Sequence, residues 1–404
     1  MAGVPKWIIY ARILLSISVI ILFTSPGAFG EPIKIGVLLP LSGRLSELGG
    51  EMERKSYVMA AGEINGSGGI GGGRRLHFII EDTAGKVSTG RAAAEKLISQ
   101  DHVSLLCGGF SSTVTWVTSV LAQERKVPFL VNTASADRIS EGRREWIFRL
   151  CTPVSEHPLA LSSFIGGTAD IQRVLVLYEE TPLGQYLSDK FSKQCKELGL
   201  QLLEVTGYDP AATDFRTYLM EIKEQSPDML YIIAKEETAA LILRQVQEWD
   251  LNPKLILGNA AGFTSNRFRE RAGDAAEYVY SHVLWSPLLP YPGAVVYYTR
   301  FIERYGIRPD YHGAQAYAAA QVIADALRRA ASMSRDDVRA ALAATQQKMT
   351  VLGPVTFRSY GTKRQQNRLA TYLVQWINGR LEIVWPMQAA TQSYVYPVPP
   401  WNQR

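Results

Sequence analysis

Residues 105–116 read LLCGGFSSTVTW: an apolar run, two glycines, then the hydroxyls of Ser111, Ser112 and Thr113 where a strand gives way to a helix. Hydroxyls in such a place could cradle a phosphate, attack a substrate or hold a carboxylate. Two more segments of this kind follow apolar runs of strand length, Ser42-Gly43 after Ile33–Leu39 and Asn132-Thr133-Ala134-Ser135 after Val127–Val131. In open parallel sheets ligands bind beyond the carboxyl ends of the strands. Three such segments would converge, offering hydroxyls and the free N–H groups of helix starts to one anion. Taken singly, each also reads as a helix cap, Ser111 or Ser112 in particular.

The phosphate and nucleophile readings find little support. Gly66-Ser67-Gly68-Gly69-Ile70-Gly71 fits GxGxxG literally, but a dinucleotide fingerprint follows a strand and opens a helix. Here a helical pattern (Glu51 to Ile64) precedes it and the strand Leu76–Asp82 follows, so it reads as a glycine-rich connection. No GxxxxGK[ST] and no GxSxG elbow occur. Five histidines (His77, His102, His157, His282, His312) show no metal-ligand spacing, although any of them could join a triad formed in space. The carboxylate pairs Glu81-Asp82, Glu179-Glu180 and Glu236-Glu237 follow strands, where solvation at a strand end is the plain reading. Cys107, Cys151 and Cys195 are widely separated, lack zinc or dithiol spacing and allow at most one disulfide; they read as buried small hydrophobes. No catalytic residue, metal site or cofactor is expected.

The elements that must position these hydroxyls form one rhythm, apolar runs alternating with amphipathic stretches, the signature of an α/β protein with parallel sheets and crossover helices. Strands are expected at Ile33–Leu39, Leu76–Asp82, Val103–Gly109, Val127–Val131, Arg173–Tyr178, Met229–Ala234 and Lys254–Gly258. Leu187, Phe191, Cys195 and Leu198 recur at helical spacing, as do Leu241, Leu243, Val246 and Trp249, so each stretch can lay one apolar face on a sheet. Proline and aromatic residues break the alternation near Arg149 to Pro153 and Trp285 to Pro292, which read as crossings between two lobes. Helical stretches at Gly293–Tyr305 and Ala314–Ala331 follow, then a strand-rich end opened by Gly353–Phe357 and closed by a hairpin turning at Asn378-Gly379. The tail Tyr394–Trp401 reads as a surface-laid extension.

At the N-terminus Lys6 and Arg12 precede the apolar Ile13–Phe23, and Ala28-Phe29-Gly30 supplies small residues before a cut at Glu31. This is the pattern of a secretory signal peptide over residues 1–30; the apolar core falls short of the roughly 20 residues that span a bilayer. From Glu31 onward the chain exceeds the size at which one core keeps growing, so two lobes are the default. The formal net charge of +5 falls by two when Lys6 and Arg12 leave, and no basic block remains to serve nucleic acid.

With these residues in view the sequence resembles a known family, the type I periplasmic solute-binding proteins of ABC importers, in the branch serving leucine, isoleucine, valine and related amides. The resemblance covers nearly the whole chain after the leader and rests on IKIGVLLPLSGRLSELGG, EINGSGGIGG, GGFSST, VPFLVNTAS, ILRQVQEWDL and LGPVTF, in that order and spacing. It implies two Rossmann-like lobes joined by a three-strand hinge and closing on a solute. Lobe 1 would comprise 31–151 plus 287–350, and lobe 2 152–286 plus 351–404. By position, Ser111 or Ser112, Thr133 and Ser135 fall where the family holds the ligand's carboxylate, and Leu48 falls where an aromatic side chain covers the ligand. Lobe 2 would contribute Leu183 and Lys235.

One departure bears on specificity. After Lys254–Gly258, where amino-acid binders of this type place an acid for the ligand's ammonium group, this chain has Asn259-Ala260-Ala261. A buried ammonium without a partner is costly, so either another acid replaces it, Glu236 first, or the ligand has no ammonium and Ala260 marks that choice. The resemblance implies a periplasmic, monomeric, non-enzymatic carrier that takes a branched-chain or other amino acid, an aromatic or aliphatic carboxylate, or an amide, and hands it to the membrane permease of an ABC importer. A sensory ligand-binding subunit of the same fold is the second class, told apart by genomic neighbours. An enzyme is the third, told apart by turnover of bound solute.

Overall fold

The computed structural model describes residues 30–404, apart from 168–169 and the side chains of 260, 261 and 348. The signal-peptide reading covers residues 1–30, of which 1–29 lie outside the described residues. The first half runs β1 (Ile33–Leu39), α1 (Glu51–Gly66), β2 (Leu76–Asp82), α2 (Val87–Ser99), β3 (Leu105–Gly108), α3 (Ser112–Glu124), β4 (Phe129–Val131) and β5 (Ile147–Arg149). The chain then builds α4 (Leu159–Gly167), β6 (Arg173–Glu179), α5 (Pro182–Glu197), β7 (Gln201–Tyr208), α6 (Arg216–Gln225), β8 (Met229–Ile233) and α7 (Glu236–Glu248). To these it adds β9 (Leu255–Gly258), α8 (Ala260–Phe263), α9 (Asn266–Ala272) and β10 (Tyr280–Val283). Next come α10 (Pro292–Tyr305), α11 (Tyr311–Arg329), α12 (Arg335–Ala343), β11 (Gln346–Thr350), β12 (Gly353–Thr356), β13 (Arg358–Tyr360) and β14 (Lys363–Gln366). The last pair is β15 (Tyr372–Ile377) and β16 (Arg380–Trp385).

Two seven-stranded sheets result, ordered β13-β14-β5-β4-β3-β1-β2 and β16-β15-β10-β9-β8-β6-β7. Parallel pairing dominates both, with antiparallel additions at one edge of each. In each sheet the strand order reverses direction at one strand, β1 flanked by β2 and β3, and β6 flanked by β7 and β8. These are the points at which open α/β sheets leave a crevice for a ligand. The sheets are covered on both faces, which explains the near-continuous apolar runs. In β6 and β8, Leu175, Leu177, Leu230 and Ile232 enter one core, and Val174, Val176, Met229, Tyr231 and Ile233 enter another on the opposite face. Over the first sheet α11 brings a run of buried alanines (Ala316, Ala318, Ala319, Ala320) close against α1.

The chain passes between sheets three times, at 150–158, 284–291 and 367–371. The first and third passes are tied to one another. Gln366 Nε2 donates to the Cys151 carbonyl at 2.8 Å, Asn367 Nδ2 donates to that of Leu150 at 3.2 Å, and the Asn367 backbone N–H donates to that of Arg149 at 2.9 Å. Arg149, fully buried, donates from Nη2 to Ser140 Oγ and from Nη1 and Nε to the Ala136 carbonyl and Gln366 Oε1. The buried guanidinium thereby links the hinge to the loop after β4.

Several expectations are corrected. Residues 353–366, placed in lobe 2 by sequence, instead supply β13 and β14 to the first sheet and β12 to a ribbon with β11, so the third crossing falls after Asn367. Strands β5, β7, β10 and β11 lack a reading in the sequence; β5 has only three residues, and β7, half-buried along most of its length, lacks the continuous apolar run of the buried strands. The tail is laid along the second lobe and anchored at two points. Val398 and Trp401 are buried, Val398 N–H donates to the Lys254 carbonyl and Trp401 Nε1 to that of Leu251. All three cysteines are buried and unpaired. No described helix is long and apolar enough to cross a membrane.

Candidate functional site

At the end of β3 the backbone enters the left-handed region at Gly108 (φ 99°) and Gly109 (φ 87°), and Phe110 and Ser111 follow as the link into α3. A side chain at Gly108 would meet the Leu38 carbonyl oxygen of the adjoining strand at 2.5 Å. Ser111 occupies the N-cap position of α3, yet its hydroxyl makes no capping bond, so the first N–H groups of the helix stay uncapped. Ser112 differs: its hydroxyl oxygen accepts the Ala136 N–H at 3.2 Å, which ties the loop after β3 to the loop after β4. Backbone bonds from Asn132 N to Gly108 O (3.1 Å) and Ala134 N to Gly109 O (2.8 Å) lock the two loops together. Ser111, Ser112, Thr133 and Ser135 are thus brought together at one edge of the crevice, with Ser111 and Ser135 hydroxyls unpartnered among the described residues. Leu48, 50% exposed, adjoins them through Gly49, which packs on Phe110 and His312.

Behind this edge stands a polar group that the sequence reading passed over. Glu53 on α1 is fully buried; its Oε2 accepts from Asn132 Nδ2 at 2.8 Å, and its Oε1 has no hydrogen-bond partner. Asn132 Nδ2 also donates to Thr133 Oγ1 at 2.9 Å, and Asn132 Oδ1 accepts from the Tyr57 hydroxyl at 3.1 Å. Burial raises the Glu53 carboxyl to about 7, against the opposing pull of Asn132, His312 and Thr133. The signal was present: Glu53, Ser56, Tyr57 and Ala60 share one buried face of α1, an acid on an otherwise core-facing stripe.

His312 opens α11 and stacks on Phe110, ring centroids 5.0 Å apart. Its ring Nδ1 pairs with Asp310 Oδ2 at 3.0 Å, and Asp310 also caps α11 by accepting from the N–H groups of His312 and Gly313. Asp310→Ala is expected to cost about 1 kcal/mol through the lost cap, read as a lower urea midpoint at unchanged slope.

The second lobe presents another set. Lys235, at the N-cap of α7, pairs with Glu179, which ends β6 and is buried rather than solvated as its position at a strand end suggested. Glu236 is held within its own lobe, Oε2 by the Ser265 hydroxyl and Oε1 3.5 Å from Arg267 Nε. Ala260 begins α8, and Gly262 of that helix lies against the Ala234 carbonyl, bringing α8 beside the Ala234-Lys235 loop. Leu183, in the first turn of α5, is 58% exposed. No hydrogen bond or ion pair among the described residues joins Leu183, Lys235 or Glu236 to Ser111, Ser112, Thr133 or Ser135. No three described His, Cys, Asp or Glu side chains form a metal-holding group.

Two α/β lobes, each with a crevice at the point where its strand order reverses, are joined by three crossings. The family described as periplasmic binding protein matches residues 32–380, and the chain belongs to it. Leu/Ile/Val-binding protein homolog 7 of Brucella suis biovar 1 is 25% identical over 401 residues, spanning 95% of this chain and 99% of the relative. Among solved structures, the branched-chain amino acid transporter substrate-binding protein LivJ of Streptococcus pneumoniae, in complex with isoleucine, aligns with a TM-score of 0.68 at 21% identity. It covers 91% of this chain and 100% of that one. An ABC transporter solute-binding protein of R. palustris in complex with benzoate aligns with a TM-score of 0.66 at 19% identity, covering 90% and 98%.

Proposed function

We propose that this protein captures a small carboxylate-bearing solute between its lobes by hinge closure, in the periplasm and as a monomer, and presents it to the membrane permease of an ABC importer. The observation that carries this reading is the edge of donors in lobe 1 that have no protein partner among the described residues: the Ser111 and Ser135 hydroxyls and the uncapped start of α3, beside Thr133. Uncapped N–H groups at a helix start favour an anion. Leu48 and Leu183, half or more exposed, are apolar surfaces that closure would cover.

A second reading concerns the solute. With Ala260 where the family's acid stands, Glu236 held by Ser265 and Arg267, and Glu179 held by Lys235, these positions of lobe 2 offer no free acid for an ammonium group. This favours a carboxylate without an amino group, the kind of solute that the R. palustris protein holds, over an amino acid such as the isoleucine held by the Streptococcus pneumoniae protein. A thermal-shift screen of ligand-stripped protein, pairing α-amino acids with the same acids lacking the amino group, tests both points. A solute at 100 times its dissociation constant adds about 2.7 kcal/mol. The desamino acids are expected to give the larger shifts. Larger shifts with amino acids overturn the second reading, and no shift with any carboxylate overturns the first.

A further inference from the structure

The buried carboxyl of Glu53 lies directly behind Thr133 and takes no part in the anchor described above. We propose that Glu53 is a proton-linked positioning residue, so that docking an anionic carboxylate at Ser111, Thr133 and Ser135 draws one proton from solvent onto Glu53, and capture and protonation become one event. This rests on the carboxylate reading above.

The geometry supplies the reason. Asn132 Nδ2 donates both to Glu53 Oε2 and to Thr133 Oγ1, so the Thr133 hydroxyl oxygen is already an acceptor and its single hydrogen is the part left to give. Two anions compete for that hydrogen, Glu53 from behind and the solute from the crevice. Like charges brought together away from water do not both stay ionised. Glu53 is the one that yields, because Oε1 is buried with no bond to lose and can carry the proton where it stands. Protonated, Glu53 keeps its acceptor role toward Asn132 and releases the Thr133 hydrogen to the solute.

The surroundings neither neutralise Glu53 nor replace it. From α1 it meets Tyr57; from β3, Cys107; from the chain after β5, Cys151; from the start of α11, Asp310, Tyr311 and His312. The thiols and phenols are uncharged near neutrality, being raised by burial. His312, the one cation source in the set, is already paired with Asp310. With its carboxyl near 7, Glu53 is mostly ionised at pH 8 in the free protein, which leaves room for uptake.

Calorimetric titration at pH 8 in two buffers of different ionisation enthalpy counts the protons. The probes are benzoate, 4-methylpentanoate, L-leucine and L-phenylalanine, tested on the wild type, Glu53→Gln and His312→Gln. The expected result is net proton uptake, up to one proton per bound probe, retained in His312→Gln and absent in Glu53→Gln. Affinity should fall about tenfold per pH unit above 8 in the wild type and stay flat in Glu53→Gln. Binding without uptake, uptake that survives in Glu53→Gln, or proton release overturns the proposal while the carboxylate anchor stands; release would place a cation of the solute beside Glu53. If none of the four probes binds, the carboxylate reading itself falls and the proposal with it. Should Glu53→Gln fail to fold, the wild-type count and its persistence in His312→Gln still decide.

Discussion

Replacing Thr133 and Ser135 together by alanine should weaken carboxylate binding about 100-fold while leaving the fold intact. Each charge-assisted hydrogen bond lost is worth about 1.5 to 3 kcal/mol, and a tenfold change in affinity corresponds to about 1.4 kcal/mol. The figure takes the lower value for each bond, and the single variants beside the double one measure how far the two neighbours add. Stability should hardly change. Ser135 makes its structural bond through its backbone carbonyl, which accepts the Val154 N–H at 2.8 Å and survives the substitution. Asn132 keeps its bond to Glu53 when Thr133 loses its hydroxyl. Ser112→Ala is the informative contrast, because the Ser112 hydroxyl supports Ala136 N–H, so its loss should show in thermal stability as well as in affinity. Titration with the best solute of the screen, beside a melting curve for each variant, is the measurement. An unchanged affinity in the double variant would refute the placement of the anchor.

Gly108→Ala should destabilise the protein by about 3 kcal/mol or more and abolish binding. Two costs combine at this residue. Its φ of 99° is one that alanine rarely adopts, a strain of about 1 to 3 kcal/mol. Its new methyl group would also stand 2.5 Å from the carbonyl oxygen and 2.9 Å from the nitrogen of Leu38, backbone atoms that cannot rotate aside. Leu38 is the strand partner of Gly108 in the parallel pairing of β1 with β3, so relief requires those strands to part at the point where the Phe110–Ser112 loop begins. Gly142→Ala provides the control: its φ of 79° is also left-handed, but nothing lies within 4 Å of the added carbon, leaving strain alone. Urea unfolding of both variants separates the two costs. Equal losses would show that the close approach to Leu38 contributes nothing.

These two predictions differ in how much of their basis could be read from the chain. The hydroxyls of Ser111, Thr133 and Ser135 were legible because each comes after an apolar strand, and parallel sheets expose the loops at the carboxyl ends of their strands. The Asn378-Gly379 hairpin was legible because both residues tolerate the positive φ that they adopt, 51° and 71°. The chain pattern does not mark Glu53 as part of the site, because its partner Asn132 lies 79 residues away and only the packing of α1 against the first sheet brings them together. The hinge bonds of Gln366 to Cys151, 215 residues apart, are of the same kind. So is the burial of Trp401 in the second lobe, at the end of a tail that reads as a surface-laid extension.

The sequence by itself determined the two α/β lobes, the alternation of strand and helix, and the hydroxyl-rich strand ends, since these follow from local periodicity and from turn residues acting over a few positions. The tertiary structure alone decided which groups remain free to bind. It turned Ser112 to the Ala136 N–H and left Ser111 uncommitted, drew Glu236 to Ser265 and Arg267, and paired Lys235 with Glu179. It also sent β13 and β14 back to the first sheet. The physical reason is that hydrogen bonds and ion pairs depend on separations of a few ångströms between atoms far apart along the chain, which local pattern does not specify.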